Sequence, residues 1–138
     1  MDCGQITLLA LFDVSAAFDS VDHSILLNRL SVSFGLIGKS LEWLRSFLTD
    51  RTHSVVVGSS RSCWVPALFG VPQGSVLDPL LYILYTTDIS SQMRSCGLLH
   101  QLYADDIHCN AADAVASVGL MCSAIDALSR WIHQIVCL

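Results

Sequence analysis

His100-Gln101-Leu102-Tyr103-Ala104-Asp105-Asp106-Ile107-His108-Cys109-Asn110-Ala111 is the stretch on which the fold turns. Residues 100–103 and 107–111 read as β-strands, and Ala104-Asp105-Asp106 between them leaves room only for a tight hairpin. Adjacent aspartates repel, and turn chemistry would be better served by Asn-Gly or Asp-Gly. A bound cation would remove the conflict; a solvated turn is the other reading of the same residues. A third acid follows another apolar run. Ile6 to Phe12 is rich in large residues, which fits a buried strand, and it stops at Asp13.

Between these strands the period changes. After the small-residue turn Ser15-Ala16-Ala17, apolar residues at Ile25, Leu26, Leu30 and Phe34 predict a helix over 22–34. Asp22 or Ser24 is available as its cap and Gly35 as its stop. Leu41, Leu44 and Leu48 mark a second amphipathic helix over about 40–48. His53 to Val57 and Cys63 to Leu68 are β-rich and flank a hairpin loop, Gly58-Ser59-Ser60-Arg61-Ser62. Gly70-Val71-Pro72-Gln73-Gly74 suits neither helix nor strand. Its glycines permit close backbone approach to a ligand and its proline stiffens that approach, although a plain helix-entry loop would look the same. Asp78-Pro79 reads as a helix cap with proline in the first turn, opening a helix to about Ile89. Val115, Val118, Cys122, Ile125, Leu128, Ile132 and Val136 predict a long amphipathic helix starting near Asp113. The order predicts an α+β fold, with a small antiparallel sheet packed against helices.

With 138 residues the chain suits one domain or part of one, and it is treated as a single unit over 1–138. Only 14% of its residues are charged and 53% are hydrophobic, so part of its apolar surface expects a partner. The longest uninterrupted aliphatic and aromatic stretch, Leu8 to Phe12, is far too short to span a membrane, and no basic segment precedes it as in a secretory signal. A net charge of −5, with Lys39 as the one lysine and six scattered arginines, argues against a self-sufficient nucleic-acid binder. The six cysteines are far apart and read as reduced, mostly buried thiols. A zinc site from Cys96, His100, His108 and Cys109 fits no standard spacing, and strand alternation puts His108 and Cys109 on opposite faces.

Taken in order, three segments resemble the palm of reverse transcriptases of non-LTR (LINE-type) retrotransposons. The first is Phe12-Asp13-Val14-Ser15-Ala16-Ala17-Phe18-Asp19-Ser20-Val21-Asp22-His23, followed by Ile25-Leu26-Leu27. The second runs from Gly70-Val71-Pro72-Gln73-Gly74-Ser75 to Tyr82, and the third is Tyr103-Ala104-Asp105-Asp106, similar to the YADD box. The resemblance covers about residues 6–131. It implies an RNA-directed DNA polymerase that adds deoxynucleotides to a DNA primer 3′-OH on an RNA template with two Mg²⁺ ions. Asp13, Asp105 and Asp106 would then be the catalytic, metal-binding acids, Asp13 and Asp105 the main ligands meeting across adjacent strands.

By the same resemblance the backbone at Val14 would touch the triphosphate. Phe18 would be the steric gate against a ribose 2′-OH, its residue-level alternative being a core phenylalanine. Gln73 and Gly74 would line the template and nucleotide pocket. Asp19 and Asp22 read as turn or capping residues, and Asp88 as a surface acid at a helix end. Asp78 stands where the family usually has glycine, and residues 132–138 depart from the family pattern after Trp131. The fingers and thumb, which would supply the basic cleft walls, are expected to lie outside these 138 residues. The intact element implies an intracellular setting, nucleus or cytoplasm. An inactive retroelement remnant or a non-enzymatic interaction module is the competing expectation.

Overall fold

The computed structural model describes residues 7–103, 105–112 and 114–135. Its architecture is α+β. Ile6, Ala104, Asp113 and Val136, all named above, lie outside the described residues, as does the side chain of Val115. The described residues form two compact units, residues 7–17 with 86–135 and residues 18–85.

The first unit is built on a three-stranded antiparallel sheet in the order β1-β7-β6, from β1 (Thr7–Asp13), β6 (Leu99–Tyr103) and β7 (Asp106–Ala112). The central strand alternates as a strand with one covered face must: Ile107, Cys109 and Ala111 are buried, while Asp106, His108 and Asn110 point the other way. The covered face packs on α4 (Ile89–Ser95) and α5 (Ala114–Ile135), whose Ile89, Met93, Met121, Ala124, Leu128 and Trp131 are buried. At about 1.5–3 kcal/mol for each large apolar side chain, this layer is the unit's main source of cohesion.

Two expectations are corrected here. β1 is an edge strand and not a buried one: Leu9 and Leu11 are 59% and 64% exposed, because helices cover only the opposite face of the sheet. The α5 stripe is also rotated. Val118, Cys122 and Ile125 are exposed, and the inward face is Ser117, Met121, Ala124, Ala127, Leu128, Trp131 and Ile135. Small residues let the helix approach closely, and one tryptophan fills the remaining space.

The second unit gathers α1 (His23–Val32), α2 (Lys39–Leu48) and α3 (Asp78–Tyr85) around Val21, Leu26, Leu30, Leu48, Leu81 and Tyr85, all buried. Asp22 is the N-cap of α1, its Oδ1 accepting the Ile25 N–H at 2.9 Å, and Gly35 takes φ +67° just past the helix. The expected hairpin is two short strand pairs, β2 (Thr52–His53) with β5 (Val65–Pro66) and β3 (Val56–Val57) with β4 (Ser60–Arg61). Its tip is therefore tighter than the loop expected over 58–62. The helix expected to reach Ile89 ends at Tyr85, and a separate turn at 86–88 starts α4, where the Ile89 N–H bonds back to the Thr86 carbonyl at 3.0 Å.

Candidate active site

β1 and β7 are adjacent and antiparallel, and their last ladder pair is Asp13 opposite Asp106. Tyr103 is also opposite Asp106, on the β6 side, so only positions 104 and 105 separate the two strands of the hairpin. Asp105 lies in that turn. The cross-strand meeting expected of Asp13 and Asp105 is thus shifted by one residue, because so short a turn brings Asp106 into the ladder. Directly opposed residues of an antiparallel pair share a face with Cβ atoms about 4.5–5.5 Å apart. Asp13 and Asp106 accordingly sit side by side on the uncovered face, with the 74% exposed Tyr103 beside them.

This donor set fits a divalent cation. Two like charges at opposed positions repel, and oxygen-only ligands suit Mg²⁺, which commonly takes one or two protein carboxylates and completes its shell with water and substrate phosphate. Among the described residues no three His, Cys, Asp or Glu side chains form a ready-made cage. A cation held here would take the Asp13–Asp106 pair as its protein ligands, with Asp105 adjoining it.

In the second unit the first and second sequence motifs are stitched together by the backbone. The Gly70 N–H bonds to the Val21 carbonyl and the Val71 N–H to the Phe18 carbonyl, both at 2.9 Å. His23, buried, places Nε2 2.8 Å from the Gly70 carbonyl; that oxygen only accepts, so Nε2 carries the proton. Gly70 has φ +85°, and a Cβ there would sit 3.0 Å from the Asp19 Cα and 3.2 Å from the Phe18 carbonyl oxygen. Only glycine fits this crossing. The role of His23 in it escaped the sequence reading, since a lone histidine at a helix start carries no pattern of its own.

Phe18 is half-buried, its ring tilted against Tyr82 with centroids 4.7 Å apart. Gln73, exposed, donates from Nε2 to Asp19 Oδ1 at 2.8 Å, so Asp19 anchors the glycine-rich loop and caps no helix. Gly74 has φ +81° and donates its N–H to Asp78 Oδ2 at 2.9 Å. Ser75 Oγ accepts the Asp78 N–H at 3.2 Å. This exchange is close to a capping box, with Ser75 as the cap and Asp78 reaching back to fix the loop. The negative charge introduced at Asp78 is therefore buried and spent on loop geometry, although its Oδ1 is buried without a partner among the described residues.

In the first unit, Val14 is buried and its carbonyl accepts the Ala17 N–H at 3.1 Å, closing the small-residue turn. Asp88 is no plain surface acid: half-buried at the start of α4, its Oδ1 accepts the Trp131 indole N–H at 2.9 Å. Of the four described cysteines, all unpaired, only Cys109 is buried, whereas Cys63 and Cys122 are exposed. Burial, and then the nearby Cys96, push the Cys109 thiol above its ordinary pKa, leaving it protonated and inert at neutral pH. His100 is opposite Cys109 in the ladder but His108 is opposite Gln101, which separates the residues of the zinc reading onto two faces.

The sequence matches the reverse transcriptase (RNA-dependent DNA polymerase) family over residues 2–135, and the chain belongs to that family. It is 31% identical over 138 residues, 95% of its length, to the RNA-directed DNA polymerase from mobile element jockey of Drosophila melanogaster. It is 39% identical over 101 residues, 69% of its length, to the jockey polymerase of Drosophila funebris. A probable RNA-directed DNA polymerase from transposon BS of Drosophila melanogaster is 40% identical over 77 residues, 56% of this chain and 8% of that protein. The chain spans 15% and 11% of the two jockey proteins. These mobile-element relatives agree with the non-LTR resemblance of the three motifs.

Proposed function

We propose that this chain carries the palm of an RNA-directed DNA polymerase of a non-LTR retrotransposon, which extends a DNA primer on an RNA template with deoxynucleoside triphosphates. The observation that carries the reading is the Asp13–Asp106 ladder pair on the open sheet face, with Asp105 in the adjoining turn. These three acids would hold two Mg²⁺ ions, which when bound activate the attacking 3′-OH and stabilise the leaving pyrophosphate. The strand pair fixes two of the carboxylates before substrate arrives, so little ordering is left for the moment of reaction. The backbone at Val14 approaches the triphosphate, and the loop carrying Gln73 and Gly74 lines the template and nucleotide pocket.

Phe18 in this reading excludes the ribose 2′-OH. In a full-length polymerase containing this segment, Phe18→Ala is expected to raise ribonucleotide relative to deoxynucleotide incorporation by about tenfold or more, because a pocket's discrimination follows the space it denies. Single-nucleotide incorporation kinetics with matched ribo- and deoxynucleotides test it. Unchanged sugar selectivity would leave the Phe18–Tyr82 packing as the whole role of the ring.

The 138 residues on their own are expected to extend no primer. Charge spread over the triphosphate needs cations to hold it, and the chain offers seven Lys and Arg against twelve Asp and Glu. Gel-based extension with the purified chain and Mg²⁺ should give no product. Product that vanishes with Asp105→Asn would show that these residues form an enzyme by themselves.

A further inference from the structure

In the first unit β1 is paired along one side only: among the described residues its neighbour is β7, and its other side presents a row of backbone N–H and C=O groups. The strand runs from Thr7 to Asp13 without a proline or a lysine, the residues that commonly blunt such an edge against a further strand. A second surface lies along the same border. On α5, Val118 and Ile125 are 55% and 46% exposed, Cys122 and Ser129 are exposed, and Ile132 is half-buried. They follow one another at steps of four, three, four and three residues, the spacing of a seam that takes another helix. A groove of about 210 Å³ between Phe12 and Ile125, Ser129 and Ile132 sets this seam beside the β1 edge. Whatever covers the border must bring a strand and a helix together.

We propose that a second copy of this chain covers the border, β1 pairing antiparallel with its copy and α5 lying against its copy about one two-fold axis. The strand is self-complementary about Ala10: Leu9 falls opposite Leu11, Leu8 opposite Phe12 and Asp13 opposite position 7, so no two charges meet. The helices fit the same axis. Because α5 packs on both β1 and β7, it sits about 2.4 Å inward of β1, and the axis lies about 2.4 Å outward, for strands about 4.8 Å apart. The two helices then stand about 10 Å apart, a normal packing distance. α5 begins at Ala114, just after β7 ends at Ala112, and so runs in the direction of β1. Phe12 borders α5 between Ile125 and His133, and Ala10 lies about 7 Å back along the strand, the length of roughly four to five helical residues. Ile125 is thereby level with the axis and meets its own copy. The pairing joins edges and leaves the open sheet face with Asp13 and Asp106 uncovered, so it stands apart from the polymerase reading.

One strand edge and one helix seam make fewer contacts than the roughly 20–30 residues a side of a standard interface, so a dimer with a Kd of about 1–100 µM is expected. Sedimentation velocity of the purified 138-residue chain, under reducing conditions and without metal or nucleic acid, should show the mass rise from 15.0 kDa to twice that value across this range. Leu9→Lys with Leu11→Lys sets like charges opposite one another and should leave a monomer throughout. Leu9→Lys with Leu11→Glu sets opposite charges together and should keep the dimer. Both positions are exposed, and circular dichroism checks that the fold is retained. Ile125→Lys, which alters the helix seam alone, should weaken association by about tenfold or more, because the introduced charge meets its own copy. A parent chain that stays monomeric, that associates beyond the dimer, or whose two double variants behave alike would overturn the proposal. So would an Ile125→Lys variant that dimerises as the parent does.

Discussion

Asp106→Asn, placed in a full-length polymerase that contains this segment, is expected to cut primer extension by about a thousandfold or more. The substitution keeps the size of the side chain and its place opposite Asp13, and removes one of two charges set side by side on the open sheet face. Metal-mediated stabilisation of phosphoryl transfer amounts to several kcal/mol, and each 1.4 kcal/mol is about tenfold in rate. Asp13→Asn should do the same, and the double substitution little more, because the two act as one unit. Asp126→Asn, an exposed acid on the outer side of α5, is the control and should leave extension unchanged. Steady-state extension rates of the parent and the four variants decide the matter; retention of more than a tenth of the parent rate by Asp106→Asn would remove it from the catalytic set.

Gly70→Ala is expected to be the most damaging substitution for folding outside the cores. At φ +85° an L-residue is strained by about 1–2 kcal/mol, and overpacking against backbone adds about 1–3 kcal/mol. The methyl group would meet the Asp19 Cα and the Phe18 and Asp19 carbonyls at 3.0–3.2 Å, none of which is a flexible side-chain end. Relief would require the loop to lift, breaking the bonds from Gly70 to Val21 and from Val71 to Phe18. A fall in thermal midpoint on the order of 10 °C should follow, read by circular dichroism. A midpoint within 2 °C of the parent would show that the crossing of the two motifs is loose.

The strands around the acids were legible because their patterns are local. Residues 100–111 announce a hairpin by composition, and β1 stops at Asp13 as expected. The Asp22 cap was legible for the same reason, since capping depends on residues three apart. Register was not. Whether Asp13 faces Asp105 or Asp106 depends on how many residues the turn consumes, and a change of one moves every side chain to the other face. The exposure of Leu9 and Leu11 was equally hidden, because an apolar run does not state how many faces will be covered. On α5 two apolar stripes compete, and the one that mixes small residues (Ser117, Ala124, Ala127) with large ones (Met121, Leu128, Trp131) faces inward, where close packing rewards fit more than bulk. The pairing of Asp88 with Trp131 depends on contacts between distant segments, for which a single sequence carries no spacing signal.

Whether Asp13, Asp105 and Asp106 form a divalent-cation site is decided by Mn²⁺ titration of the ¹⁵N-labelled chain. Paramagnetic broadening falls off steeply with distance and so reports where the ion sits. Signals of Asp13, Asp105 and Asp106 and their immediate neighbours should broaden first and together, an excess of Mg²⁺ should restore them, and Asp106→Asn should abolish the effect. Broadening centred on other acids, such as Asp19 or Asp50, with the signals at 13 and 105–106 left sharp, would contradict the assignment.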